Sequence, residues 1–301
     1  MTTTSASSRD ATKADLSYAA AGCGLASATS AMSTSENKRT RCVVFTSYSC
    51  HDSGELEMWN GMRFCCLVLL ASCVSGTKSP IPPAKTQLVT VVSNDWDSFR
   101  AELRRYERSP GEAWNAVGRP VDVVLGREGY GWGRGLHGGG APAGRPGPIK
   151  REGDGRSPAG VFDIGTAYGY DGAREGVSLP YVQATPELRC VDDPRSRHYN
   201  RIVSTANTAI DWQSAEYMRR QDELYAIAIV VEHNTKQTEP GAGSCIFIHV
   251  WRGPDSGMTG CTAMPMDTLE TFSGWLQPNA AVLVALPHSE YEALRRPWRL
   301  P

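Results

Sequence analysis

In the stretch IFIHVWRGPDSGMTGCTAM, residues 246 to 264, an imidazole at His249 and a thiol at Cys261 stand twelve positions apart. A thiol is a strong nucleophile only as its thiolate, and a neighbouring imidazole can take the proton or pair with the anion. Gly260, directly before the thiol, leaves room for backbone N–H groups to turn toward a developing oxyanion. The competing chemistry is a metal site. Cys245, His249 and Cys261 are zinc-ligand types, and His198 or His233 could add a fourth. The chain has no CxxC or HxxxH pair, so its spacing differs from compact zinc patterns and no metal is expected. The plainest alternative is that both residues are ordinary packed side chains.

Something must bring these groups together. Read as a strand, Cys245 to Trp251 puts Cys245, Phe247 and His249 on one face and Ile246, Ile248 and Val250 on the other. RGPDSGMTG is then a loop that folds back and delivers Cys261 to the histidine. DTLETFSGWL predicts a helix, with Asp267 and Glu270 at capping-box spacing and Leu269, Phe272 and Trp275 on its buried face. A thiol just before that helix would gain from the positive end of its dipole. His233, ending the run VVEHN, is a further polar candidate for the site. Asp192, Asp193, Arg195 and Asp211 could wall a peptide groove, and Arg252 could grip a substrate carboxylate. Trp251 reads as core.

QLVTVVS and PVDVVLG have the β-branched content of strands. Between them Trp96, Phe99, Leu103 and Tyr106 step by 3, 4 and 3, which predicts an amphipathic helix starting at Ser93 or Asn94 and stopped by Pro110 and Gly111. The glycine-rich segment from Gly126 to Gly155 reads as a long surface loop, without the strand–turn–helix context of a nucleotide site. SPAGVFDIGTAYGY returns to strand alternation, while LYAIAIVVEHN and SCIFIHVW are apolar enough for strands buried on both faces. AAVLVALP is the last strand. The expected fold class is mainly β with peripheral helices (α+β), as one domain over 87–288 with a C-terminal tail at 289–301.

The 301 residues carry a net charge of −1, so no basic excess could neutralise phosphates and no nucleic-acid partner is expected. Residues 1–57, rich in Ser, Thr and Ala and without periodicity, read as a disordered extension or an over-long start. Residues 58–73 join Arg63 to a short apolar run and small residues, as an export signal does, and the run is too short for a bilayer span. On that reading translation starts at Met58 or Met62, the protein is exported to the periplasm or cell envelope, and 74–86 is a tether. LASC, ending in Cys73, resembles a lipoprotein lipobox, which would make Cys73 lipid-bearing and attach the chain to a membrane. Only Cys190, Cys245 and Cys261 follow the signal, too few for a disulfide framework. An odd number leaves a thiol free unless it pairs between chains, and a Cys190–Cys245 bridge would leave Cys261 reactive.

IFIH followed by TGC is similar to the active-site motif of the L,D-transpeptidases (YkuD-type), in which a strand-end histidine precedes a variable loop and Ser-His-Gly-Cys. EGDGRSPAGVFDIG, about 90 residues earlier, resembles that family's Thr-Pro-x-Gly-x-Phe-x-Ile strand, and a looser likeness covers 119–288. The resemblance implies an L,D-transpeptidase-like β-sandwich or barrel in which Cys261 is the nucleophile and His249 its general base. It also implies that the carbonyl of Val250 orients the imidazole and that the N–H groups of Gly260 and Cys261 hold the oxyanion. The implied substrate is a peptidoglycan stem peptide, cut before a terminal D-Ala through a thioester. An amine acceptor then gives a cross-link, and water gives the L,D-carboxypeptidase outcome. No cofactor is implied, and carbapenems would acylate Cys261. The sequence departs from the motif at three points: Met258-Thr259 replaces Ser-His, Ala263 stands where Arg or Asn is common, and the loop is shorter. Thr259 can still offer a hydroxyl. A catalytically silent cell-wall-binding protein and a thiol amidase on other substrates are the alternatives.

Overall fold

The β-branched segment QLVTVVS is strand β1 (Gln87–Ser93) in the computed structural model, which describes residues 78–172 and 176–301. It continues into β2 (Arg100–Glu107) and β3 (Asn115–Val124) as an antiparallel meander. Three short strands, β4 (Tyr130–Trp132), β5 (Arg134–Gly135) and β6 (Gly138–Gly139), precede the long β7 (Ser157–Gly169). Four more short strands follow: β8 (Tyr181–Gln183), β9 (Leu188–Val191), β10 (Ile202–Ser204) and β11 (Ala215–Tyr217). A 3-10 turn at Glu223–Tyr225 leads into β12 (Ile227–Val231), β13 (Phe247–Val250) and β14 (Thr262–Met264). Helix α1 (Met266–Trp275), β15 (Ala281–Pro287) and helix α2 (His288–Trp298) complete the order.

The strands run β12-β13-β14-β3-β2-β1-β15-β7, and β7 pairs again with β12, so the sheet closes on itself like a barrel. Closure leaves those strands no free edge, and the interior is filled with side chains rather than water. Phe162, Leu88, Leu103, Leu125, Ile229 and Ile248 are fully buried in the main core, which fills both sides of the sheet. Strands β10-β9-β11 form a separate small sheet. Among the described residues the fold is thus mainly β with two α-helices, as expected. The alternation read for β13 also holds. Ile246, Ile248 and Val250 enter the main core, while Cys245 and Phe247 join a second cluster with Cys190, Tyr225 and Cys261.

The predicted helix between the first two strands is instead β2. Leu103 pairs with Val91 and Tyr106 with Leu88 in a regular antiparallel ladder. Leu103 faces Phe272 of α1, and Arg105, on the same side, stacks 5.5 Å over Trp275. Tyr106, of opposite parity, lies near Tyr291 of α2. The three-residue spacing therefore joined two residues that precede the strand, Trp96 and Phe99, to Leu103 and Tyr106, which are buried on opposite faces of it, and did not come from one helical stripe.

Four smaller expectations also change. The glycine-rich segment is not all surface: Tyr130 and Trp132 are completely buried, and Arg145 pairs with Glu290 of α2 at 2.6 Å. The capping box is absent, because α1 begins at Met266 behind Pro265 with no side-chain cap and Asp267 already lies in the first turn. The C-terminal tail is largely α2, whose Leu294 and Trp298 are buried in the main core. The tether docks at its end, where Ile81 is buried and Lys85 pairs with Asp163 at 2.9 Å. The extension 1–57, the signal and Cys73 lie outside the described residues.

Gly160, inside SPAGVFDIG, has φ +139°, and a Cβ there would stand 1.9 Å from the His137 ring. Only glycine permits both the backbone conformation and the ring's approach.

Candidate active site

His249 sits on β13, where the Nδ1 atom lies 2.7 Å from the carbonyl oxygen of Val250. A carbonyl only accepts, so this contact puts a proton on Nδ1, and the Leu224 carbonyl faces the ring as well. This is the orientation the resemblance implied for Val250. Burial pulls the imidazole down to about 4, against the opposing pull of the Val250 carbonyl, and Arg220 lowers it further. His249 is therefore neutral at physiological pH, as a general base must be.

Cys261 lies directly before β14, which runs parallel to β13 with Ala263 opposite His249. Alternation puts the Cys261 and Ala263 side chains on the histidine's face of the sheet. The thiol is free, and its residue is 4% exposed. The N–H of Phe247 donates to Sγ at 3.3 Å, and the thiol donates to the carbonyl of Cys245 at 3.5 Å. Burial pushes the thiol up to about 12, the Glu216 charge adds to this, and the Phe247 N–H and Lys150 oppose it. The sulfur is thus protonated in this state. No hydrogen bond joins Cys261 to His249 among the described residues. Tyr225 lies beside both: its ring meets the imidazole edge-on at 5.1 Å, and it shares the buried cluster of Cys261, where its hydroxyl pulls the thiol down.

The helix dipole plays no part, because β14 and Pro265 separate the thiol from α1. Gly260 serves close packing: a Cβ would lie 3.2 Å from Ile246 Cδ1 and 3.3 Å from the Arg156 carbonyl oxygen. Ser157 fixes the backbone beside it, accepting from the Gly126 N–H at 2.8 Å and donating to the Cys261 carbonyl at 3.1 Å. Met258 packs on the second cluster and bridges to Gly126, whereas Thr259 is exposed.

Cys190 and Cys245 form a disulfide with Cα atoms 5.9 Å apart, so the odd thiol is Cys261. Cys245 has φ +54°, and its N–H donates to Asn200 Oδ1 at 3.0 Å. The zinc alternative fails here, since an oxidised Cys245 has no thiolate to give. No group of three metal-ligand side chains is gathered among the described residues.

The remaining candidates divide. His233 is 1% exposed; Nδ1 accepts from the Arg134 N–H at 3.2 Å, and Nε2 faces the Ala242 carbonyl at 3.0 Å. Both nitrogens are committed to the backbone, and burial lowers its pKa to about 3, so it is a neutral strut. Arg252 is exposed beside Asp222 at 3.6 Å. Asp193 caps turn N–H groups of Arg195 and Gln213, and Asp211 binds Ser196 and Arg197, so these carboxylates clamp turns instead of lining a groove. Trp251 is half-buried.

Two residues went unnoticed in the sequence. Tyr225 reads there as the edge of an apolar strand, and Glu216 as part of a polar turn. In the structure the Tyr225 hydroxyl donates to Glu216 Oε2 at 2.5 Å, while its ring also packs on Phe247 at 5.4 Å. Burial pushes the Glu216 carboxyl up to about 7, against the Tyr225 hydrogen bond. No spacing signal could have found this pair, because β11 and the 3-10 turn meet only through folding.

No family model matches the chain, and no curated protein matches it. Among solved structures, the chain is similar to that of Bdellovibrio bacteriovorus Bd1075, at 12% identity and a TM-score of 0.35, over 73% of this chain. The chain spans 57% of that protein's length.

Proposed function

We propose that the chain is an exported cysteine acyltransferase acting on peptidoglycan stem peptides, with Cys261 as nucleophile and His249 as base. The supporting observation is an imidazole held through Nδ1 by its own following carbonyl, on a strand paired with the one that the free thiol introduces. On this reading Nε2 takes the thiol proton as sulfur attacks the carbonyl carbon before a terminal D-Ala. The C–N bond breaks, the amine leaves with the proton held by His249, and a thioester remains. An amine of a second stem then surrenders a proton to His249 and forms the new amide, freeing the thiol; water in its place yields the acid. The closed, protonated thiol is the resting state, and turnover requires Tyr225 or the loop 251–260 to yield.

The test is intact-protein mass after incubation with a carbapenem, together with a digest of muropeptides. One covalent adduct, absent from Cys261→Ala, and altered stem peptides are expected. His249→Ala should slow adduct formation by about 10²–10⁴-fold. A second reading, a cell-wall-binding protein without turnover, is favoured by the buried sulfur with backbone partners and by Met258-Thr259 in the motif. Folded protein that forms no adduct and changes no stem peptide decides for that reading. Among the described residues no helix is long and apolar enough to cross a membrane. Attachment through Cys73 is checked by Cys73→Ser, which should move the protein to the soluble fraction.

A further inference from the structure

Tyr225 and Glu216 are absent from the motif that the resemblance supplies, yet Tyr225 shares the sulfur's buried cluster and its hydroxyl is bonded to Glu216. We propose that Glu216 is a positioning residue for Cys261 that acts through Tyr225, drawing the phenol hydrogen away from the sulfur when charged and returning it when neutral. The inference rests on the thiol chemistry proposed above and adds to it the group that sets when the thiol can ionise.

The geometry is a chain of three groups. Glu216 Oε2 accepts from the Tyr225 hydroxyl at 2.5 Å, and Tyr225 packs in the same buried cluster as Cys261, so its hydroxyl acts on the sulfur as well as on the carboxylate. The phenol has one hydrogen and cannot give it to both neighbours at once. With Glu216 ionised, the hydrogen points to the carboxylate, and the nearby negative charge opposes a thiolate. With Glu216 protonated, the carboxyl donates to the phenol oxygen and the phenol O–H turns to sulfur. A thiolate then gains a donor and loses a repelling charge. The other groups that face Glu216 are Asp192 beyond β9, Arg220 before the 3-10 turn, and Glu152 in the glycine-rich segment. Asp192 and Glu152 hold the proton on it, and Arg220 opposes them. Packing keeps the relay in register: Glu216 pairs across the small sheet with Cys190, whose disulfide partner Cys245 supplies the carbonyl that binds the thiol.

The experiment is alkylation of the full chain by iodoacetamide, followed at the Cys261 peptide by mass spectrometry from pH 5.5 to 9. It needs no peptidoglycan, so inert muropeptides with the expected alkylation would overturn the substrate reading alone. In the wild type, log rate against pH should flatten near pH 7, where Glu216 ionises, and rise again above it. Glu216→Gln, whose amide keeps donating to the phenol oxygen, should remove the flattening and react about tenfold faster at pH 8, the effect of a thiol pKa one unit lower. Tyr225→Phe should reduce that gain in the double variant to the part that the lost charge supplies. Equal acceleration by Tyr225→Phe alone would mean loosened packing and overturns the proposal. So does an unchanged profile in Glu216→Gln, or a Cys261 that stays unmodified in both proteins.

Discussion

Strand β13 separates two dry regions built from different materials. On one face, Ile246, Ile248 and Val250 join the main apolar cluster, with Leu88, Phe162, Ile229 and Val284, which is stabilised in proportion to the apolar surface removed from water. On the other, Phe247 meets Cys190, Cys245, Cys261, Tyr225 and Met218, with His249 and Glu216 at the margin. There the same dryness acts on ionisable groups. It holds the imidazole neutral and the thiol and phenol protonated, and it raises the Glu216 carboxyl to about 7. A one-residue slip of β13 would exchange the two faces and place His249 in the barrel, so apolar packing on one side fixes where chemistry is available on the other.

If that division is real, injuries to each side should differ in kind. The largest loss of stability is expected from Phe162→Ala, since a fully buried ring in the main core leaves a cavity that costs about 4 kcal/mol. Urea denaturation measures it, and a loss below about 1 kcal/mol would mean that the interior relaxes freely. Replacing Cys190 and Cys245 together by Ser should cost about 3 kcal/mol, because the bridge closes a sequence separation of 55 residues. This variant should also quicken alkylation of Cys261, as the Cys245 carbonyl and the Phe247 N–H both bind its sulfur. Unchanged alkylation would separate the bridge from the site. Ser157→Ala reaches across the two regions. It strands the Gly126 N–H and the Cys261 carbonyl in a buried place, at about 2 kcal/mol in the same denaturation experiment.

Strand residues with one unambiguous face were legible in the sequence, and residues placed by long-range contact were not. The faces of β13, the long β7 and the final strand followed from alternation and apolar runs. So did the free thiol at Cys261, from the count of three cysteines. The β2 segment misled, because a strand buried on both faces, with Trp96 and Phe99 in the turn before it, mimics helical spacing. Tyr130 and Trp132 were hidden by the glycines around them, whose composition suggests a surface loop although their backbone threads beside β7. The histidine's carbonyl partner followed from the motif resemblance. The tyrosine and glutamate beside the sulfur could not, since neither lies near the motif in the chain.

The smallest expected effect is the most specific to the second region, and its sign decides it. Burial lowers His233 to about 3 and His249 and His137 to about 4, so each is neutral in the fold well below the usual range near 6.5. Between pH 6.5 and about 4 the unfolded chain binds more protons at these positions. Stability is therefore complete above pH 6.5 and falls on acidification through that window. Glu216 works the other way. Raised from 4.5 to about 7, it holds a proton in the fold that the unfolded chain has released, which favours the fold as pH falls from 7 toward 4.5. Three histidines outweigh one carboxyl, so the melting temperature should drop from pH 7 to pH 5. Glu216→Gln, lacking the opposing contribution, should lose about 1 kcal/mol more over the same interval, allowing for its partial exposure. Thermal melts at the two pH values compare the slopes directly. Parallel slopes would mean that Glu216 reaches water in the folded protein, and a carboxyl in contact with water has no hold on the phenol or on the sulfur behind it.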